Sequence, residues 1–204
     1  MPTTNYGVSR KGFPRALKGL YDFLSGTKSN GAVPAVTGLT ITENGVGPIK
    51  QTVFNFSNVA FALADNAGVV AYSGKKIYDF PEGLIKVLGA VANLALTKSS
   101  AGVNTNWDGD FGVGTVTASN DGTLASTEQN IIPTTATPQA TAGATTARGK
   151  NAADIAPLDG TGTAIDLYLN FLVDDADHDV TTTPCNLIVN GTLTVTWMNL
   201  GDHG

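Results

Sequence analysis

Residues 164–200 read AIDLYLNFLVDDADHDVTTTPCNLIVNGTLTVTWMNL, and this stretch decides the fold. In its first half Ile165, Leu167, Leu169, Phe171 and Val173 share one parity, while Asp166, Asn170 and Asp174 fall on the other. In its second half Leu187, Val189, Leu193, Val195 and Trp197 stand against Asn190, Thr192, Thr194 and Thr196. A period of two marks half-buried antiparallel strands. Each has one apolar edge and therefore needs a second layer to cover it. The parity runs straight through Asn190-Gly191, so that pair predicts a kink inside one long strand rather than a hairpin tip. The acidic turn Asp174–Asp179 between the two halves reads as a solvated hairpin loop.

Working back along the chain, Asn-Gly and Asp-Gly pairs at 30, 44, 108, 121 and 159 punctuate short apolar runs. Such pairs accept positive φ and mark turns or bulges. The runs are Leu39–Thr42, Ile49–Phe56, Val59–Leu63, Val69–Tyr72, Lys76–Phe80 and Phe111–Ala118. In the last, Phe111 and Val113 oppose Gly112 and Gly114. Leu84–Thr97 is compatible with a helix, but its neighbours favour a strand broken near Gly89, with the even positions apolar apart from Lys86. Residues 123–163 are built of Thr, Ala, Gly, Ser and Pro and predict a long surface excursion. Eight or nine strands in residues 38–204 make an all-β, two-sheet β-sandwich, of jelly-roll type.

Residues 1–37 read differently. Phe13, Leu17, Leu20 and Leu24 recur at helical spacing, Pro14 suits a first turn and Gly26 a stop, so a short amphipathic helix is expected over 14–25. Gly19 weakens it, and it needs a surface to lie on. Residues 1–50 hold six cations (Arg10, Lys11, Arg15, Lys18, Lys28, Lys50) against Asp22 and Glu43, a balance of +4. The whole chain is −5, so residues 51–204 carry −9. A basic arm on an acidic body suggests two separate tasks, with a merely solvated tail as the plain alternative.

Composition narrows the class. Charged residues make up 14% of 204, with 24 glycines, as in a turn-rich globular chain. That length suffices for one core burying roughly 70% of the unfolded surface. Cys185 stands alone, which excludes an internal disulfide framework and fits synthesis in a reducing cytoplasm. No apolar run approaches the ~18 residues of a membrane span. A −9 body repels phosphate, so no nucleic-acid partner is expected.

Chemistry is sparse. Asp175, Asp177 and Asp179 have the alternate spacing that opens a calcium loop, but Val180 and Asn186 stand where that motif needs glycine and glutamate. Trp107, within Asn106–Asp110, is either a sugar-stacking platform beside carboxylates or a core-closing tryptophan. Two histidines, His178 and His203, and one cysteine assemble no nucleophile, and no cofactor motif is present, so no enzyme is expected.

The phrases YDFPEG (78–83), NWDGDFGVGTV (106–116), LASTEQNIIP (124–133), DLYLNFLVDDAD (166–177) and NGTLTVTWMNLGD (190–202) resemble a family of small tailed-phage virion proteins similar to head decoration, or cement, proteins. The resemblance covers about residues 50–202. It implies a jelly-roll oligomer, most simply a homotrimer, on the capsid surface, bound to the major capsid protein and without catalytic residues. The arm lies outside the resemblance. Its charge and apolar face make Arg10, Lys11, Phe13, Arg15, Leu17, Lys18, Leu20 and Leu24 the candidate capsid contacts. A lectin-like module that touches host glycans through Trp107 is the alternative.

Overall fold

A computed structural model describes residues 31–45, 49–66, 69–119, 122–152 and 154–201. Eleven strands run in the order β1 (Leu39–Asn44), β2 (Ile49–Ala62), β3 (Ala64–Asn66), β4 (Val70–Asp79), β5 (Gly83–Lys98), β6 (Gly109–Gly114), β7 (Ile132–Thr137), β8 (Ala144–Lys150), β9 (Leu158–Gly160), β10 (Asp166–Asp174) and β11 (Asn186–Asn199). One sheet has the order β1-β2-β11-β5-β8, with β9 also on β5; the other is β3-β4-β10-β6-β7. The described ladders are antiparallel. Leaving aside the edge strand β1 and the three-residue β3 and β9, the remaining eight strands alternate between the sheets except at the β6–β7 connection. That is the strand order of a jelly roll, in an all-β, two-sheet sandwich.

The stretch 164–200 supplies the middle strand of each sheet, β11 in one and β10 in the other. Its inward rows are those the alternation marks: Leu167, Leu169, Phe171, Val173, Leu187, Val189, Leu193, Val195 and Trp197 are at most 1% exposed. The acidic turn is therefore a corner between sheets and not a hairpin loop. Phe54, Tyr78, Phe80 and Trp197 pack at one end of the core, largely edge to face, with Phe61 against Phe171 elsewhere. Such ring pairs add about 0.5–1.5 kcal/mol beyond the area they bury. The indole N–H of Trp197 donates to Thr52 Oγ1 at 2.8 Å, which satisfies the fully buried Thr52 hydroxyl.

Bulges explain where simple alternation fails. In β5, Gly89 pairs Thr196 and Val87 pairs Trp197, leaving Leu88 as the extra residue. The strand is continuous rather than broken. Before the bulge the inward residues are Ile85 and Val87, so the even-numbered row holds only from Ala90 onward. Ile49–Phe56 and Val59–Leu63 merge into β2, whose Ser57 and Asn58 bulge opposite Asn190. Asn58 takes φ 56°, and its N–H donates to Asn190 Oδ1 at 2.9 Å. Gly191, at φ 113°, gives the kink, and a Cβ there would meet Asn93 O at 2.3 Å.

Residues 123–163 are a correction. They are not an excursion: β7 borders one sheet, β8 and β9 border the other, and Ile131, Ile132 and Ala147 are wholly buried. Residues 115–119 and 122–130 lie against the outer face of the second sheet. Small residues admit them: a Cβ at Gly114 would stand 2.3 Å from the carbonyl carbon of Glu128, and one at Gly74 2.2 Å from Thr117 Oγ1. Asn170, on the polar parity of β10, is covered by this segment and fully buried. Its Oδ1 accepts from Ala118 N at 2.9 Å, and its Nδ2 donates to Val116 O at 2.9 Å and Glu128 O at 2.8 Å. The Glu128 carboxylate accepts from the N–H groups of Ser119 and Ala125. Asn170→Ala should lower unfolding stability by about 3 kcal/mol, because buried partners lose their bonds and a cavity opens. Urea denaturation checks this; a loss under ~1 kcal/mol would show that the segment is held elsewhere.

Candidate functional site

The arm residues Arg10, Lys11, Phe13, Arg15, Leu17, Lys18, Leu20 and Leu24, and the helix expected over 14–25, lie outside the described residues. What is described is the point where the arm joins the body. Ala32 and Asp79 exchange both backbone hydrogen bonds, each 2.9 Å. The Gly31 N–H donates to the Tyr78 hydroxyl at 3.0 Å, and that hydroxyl donates to the Glu43 carboxylate. Tyr78 is fully buried, so the chain at residue 31 is tied to the aromatic core itself. A Cβ at Gly31 would lie 2.2 Å from Asp79 O, so only glycine fits. Burial raises the Glu43 pKa, against the lowering effects of the Gly31 backbone bond and the Lys50 charge. The sequence places Tyr78 in the apolar run Lys76–Phe80 and in the phrase YDFPEG, but neither gives a sign of this anchor.

Beside the root, Asp79 and Asp166 are cross-strand partners. Lys76 Nζ lies 2.5 Å from Asp79 Oδ1 and 3.0 Å from Asp166 Oδ1, and Tyr168 OH donates to Asp166 at 3.1 Å. Burial, then the hydrogen bond with Asp166, pushes Asp79 up. At Asp166 burial pulls upward too, but bonds from Asp79, Lys76 and Tyr168 outweigh it and the pKa is lowered. Asp166 also lines an open cleft of ≈ 730 Å³ with Thr115, Val116, Asp159 and Thr163.

The opposite corner holds the remaining sequence candidates. Trp107 is fully buried and its indole N–H donates to Gly143 O at 3.2 Å, so it closes the core and offers no ring face to a sugar. Asp177 accepts from Asp108 N at 3.0 Å and Asn104 Nδ2 at 3.4 Å, which pins the corner. Asp175 and Asp179 flank it, both exposed. Among the described residues no three acidic, His or Cys side chains form a set that could hold a metal ion. His178 is 3% exposed at its side chain, with Nδ1 4.0 Å from Asp65 Oδ1. Asp108, Asp110 and Asp174 all have raised pKa values, first through burial and then through carboxylate neighbours.

The third surface is the outer face of the β1-β2-β11-β5-β8 sheet. Among the described residues, its outward positions on β1, β2 and β11 carry no charge: Thr40 and Thr42, then Gln51, Val53 and Asn55, then Ile188, Thr192, Thr194, Thr196 and Met198. Ile49, Leu88 and Val91 are 47%, 45% and 58% exposed. Charge returns only at the margins, with Arg148 and Lys150 on β8, and Lys86, Asp154 and Asp159 at one corner. Compared with models of protein families and with curated proteins, the chain matches none.

The acidic corner sets a pH dependence. Because Asp108, Asp110 and Asp174 bind their protons more tightly folded than unfolded, the stability they contribute is complete below the ordinary value near ~3.9 and is lost as pH rises through their raised values. Asp174→Asn should therefore melt above wild type at pH 7, with the gap closing toward pH 4. Thermal melts across that range decide it, and a gap independent of pH would contradict the assignment.

Proposed function

We propose that the chain is a non-enzymatic virion structural protein: a decoration (cement) protein that binds a major capsid protein and stabilises a phage head. The observation that carries this reading is the clamped arm root on a jelly-roll body. A basic arm leaves an acidic sandwich at a point fixed by Asp79, Tyr78 and Glu43, so a contact made by the arm is transmitted to a rigid body. The sequence resemblance supplies the setting, and the jelly-roll strand order is consistent with it. In this reading the protein works as a homotrimer on the capsid surface, uses no cofactor, and contacts neither nucleic acid nor membrane. The host-binding alternative loses its platform, because Trp107 is enclosed.

The arm's cations steer docking onto an acidic shell, while Phe13, Leu17, Leu20 and Leu24 supply most of the affinity. Burying four such side chains contributes on the order of 6–10 kcal/mol gross, at ~1.5–3 each. Ordering the arm, at ~1–2 kcal/mol per residue, removes much of that. Deleting residues 1–30 should leave the body folded and abolish or strongly weaken co-sedimentation with undecorated capsids. Leu17→Asp combined with Leu20→Asp should do nearly the same. Capsid binding that survives the deletion would sink the arm's role, and a glycan array bound by the soluble protein would favour the host-binding module.

A further inference from the structure

We propose that the uncharged outer face of the β1-β2-β11-β5-β8 sheet is where two copies of this chain meet, face to face about a two-fold axis. The two broad faces of the sandwich differ. Residues 115–119 and 122–130 cover the second sheet through Asn170 and Glu128, whereas no described segment crosses the first. Every outward position on the three strands from β1 through β11 is neutral, although residues 51–204 carry −9. Two acidic bodies repel across most of their surface and would bury unpaired carboxylates there. Across this face they bury none. Depletion of Asp, Glu and Lys is also the composition that marks the centre of a protein–protein contact.

The chemistry of the face fits a copy of itself. Thr192, Thr194, Asn55 and Gln51 each carry both a donor and an acceptor, so the surface complements its own image, as a two-fold contact requires. A surface of one charge sign cannot do this. Ile49 pairs Met198 across the β2–β11 ladder, and Leu88, the extra residue of the β5 bulge, stands nearby and is 45% exposed, giving a small apolar anchor at one end; Lys86, in register with Met198, is paired with Asp154 at the margin. Size is sufficient. The strands β1, β2, β11 and β5 have 6, 14, 14 and 16 residues, and at ~3.3 Å per residue and ~4.8 Å per strand they cover roughly 800 Å². That matches the ~800 Å² per partner of a standard interface without drawing on the charged β8 edge. The contact joins copies in pairs, whether single chains or trimers, and does not rest on the capsid reading.

The test needs no capsid. Thr194 lies near the middle of β11, the central strand. Sedimentation equilibrium of the full chain should give an even multiple of its 20.9 kDa mass. Thr194→Lys and Thr194→Asp, each alone, should weaken pairing at least tenfold while keeping the wild-type circular dichroism. Mixing the two variants should restore it, because opposite charges then meet across the axis. If either variant fails to fold, the same exchange at Asn55, with Asn55→Lys and Asn55→Asp, replaces it. A wild-type mass of one chain or of an odd number of chains overturns the proposal. So does an oligomer that the charged variants leave intact, or a mixture of folded variants that stays dissociated.

Discussion

The constraint on which the rest of the molecule depends is the single core that the inward rows of β10 and β11 share. Each strand is the middle of its sheet, so every other strand is aligned, directly or through a neighbour, on one of these two. The rows are entirely apolar and almost wholly buried, and they belong to one core, in which Phe171 packs on Phe61 of β2 and Trp197 on Tyr78 of β4 and on Phe80. Removing them would take away the centre of both layers at once, not an edge that a sandwich could shed. The aromatic end of this core also holds Tyr78, through which the start of the described chain is tied to the interior.

Charge is distributed so that it stays out of these contacts. Carboxylates gather at the Asp108–Asp174 corner and around Lys76, where burial and mutual repulsion keep several of them protonated to higher pH than usual. Cations mark the β8 edge, where Arg148 and Lys150 also discourage that strand from templating another chain. The broad face between is left to hydroxyls, amides and a few aliphatics. Association through that face and docking through the arm therefore draw on separate parts of the molecule.

Strands with strict alternation were legible from residues alone. Residues 187–197 announced both their burial and the kink at Gly191, because the kink preserves parity on β11 while the extra residue falls on β2. Parity misled where the bulge lay within the strand being read, as at Leu88, since one inserted residue reverses inside and outside for all that precede it. The Thr- and Ala-rich stretch 123–163 hid its strands because edge strands need few large side chains; Ala147 alone serves as the buried centre of β8. Asn170 looked solvent-facing because the segment that covers it comes from 40 to 55 residues away. The Gly112 and Gly114 pair was the available sign, since small residues on an outer face admit a covering backbone. Of the candidate sites, alternation could mark a neutral face but not the Gly31–Tyr78–Glu43 clamp, which joins residues up to 47 apart.

The position of the two central strands in the chain has a consequence for biosynthesis. Everything from β1 to β9 leaves the ribosome before either sheet has its middle, so β1–β2 and β5–β8 in one sheet, and β3–β4 and β6–β7 in the other, can pair but have no strand between them to join the halves. Non-local pairing of this kind is slow and must wait for its most distant partner. Closure thus becomes a late, nearly all-or-none event that requires residues 164–199 to have been made. A chain interrupted before that point has neither a finished core nor a flat outer face, and is left to proteases rather than to assembly. The fold acts as its own check on completeness, admitting to the assembled state only polypeptides that carry both central strands.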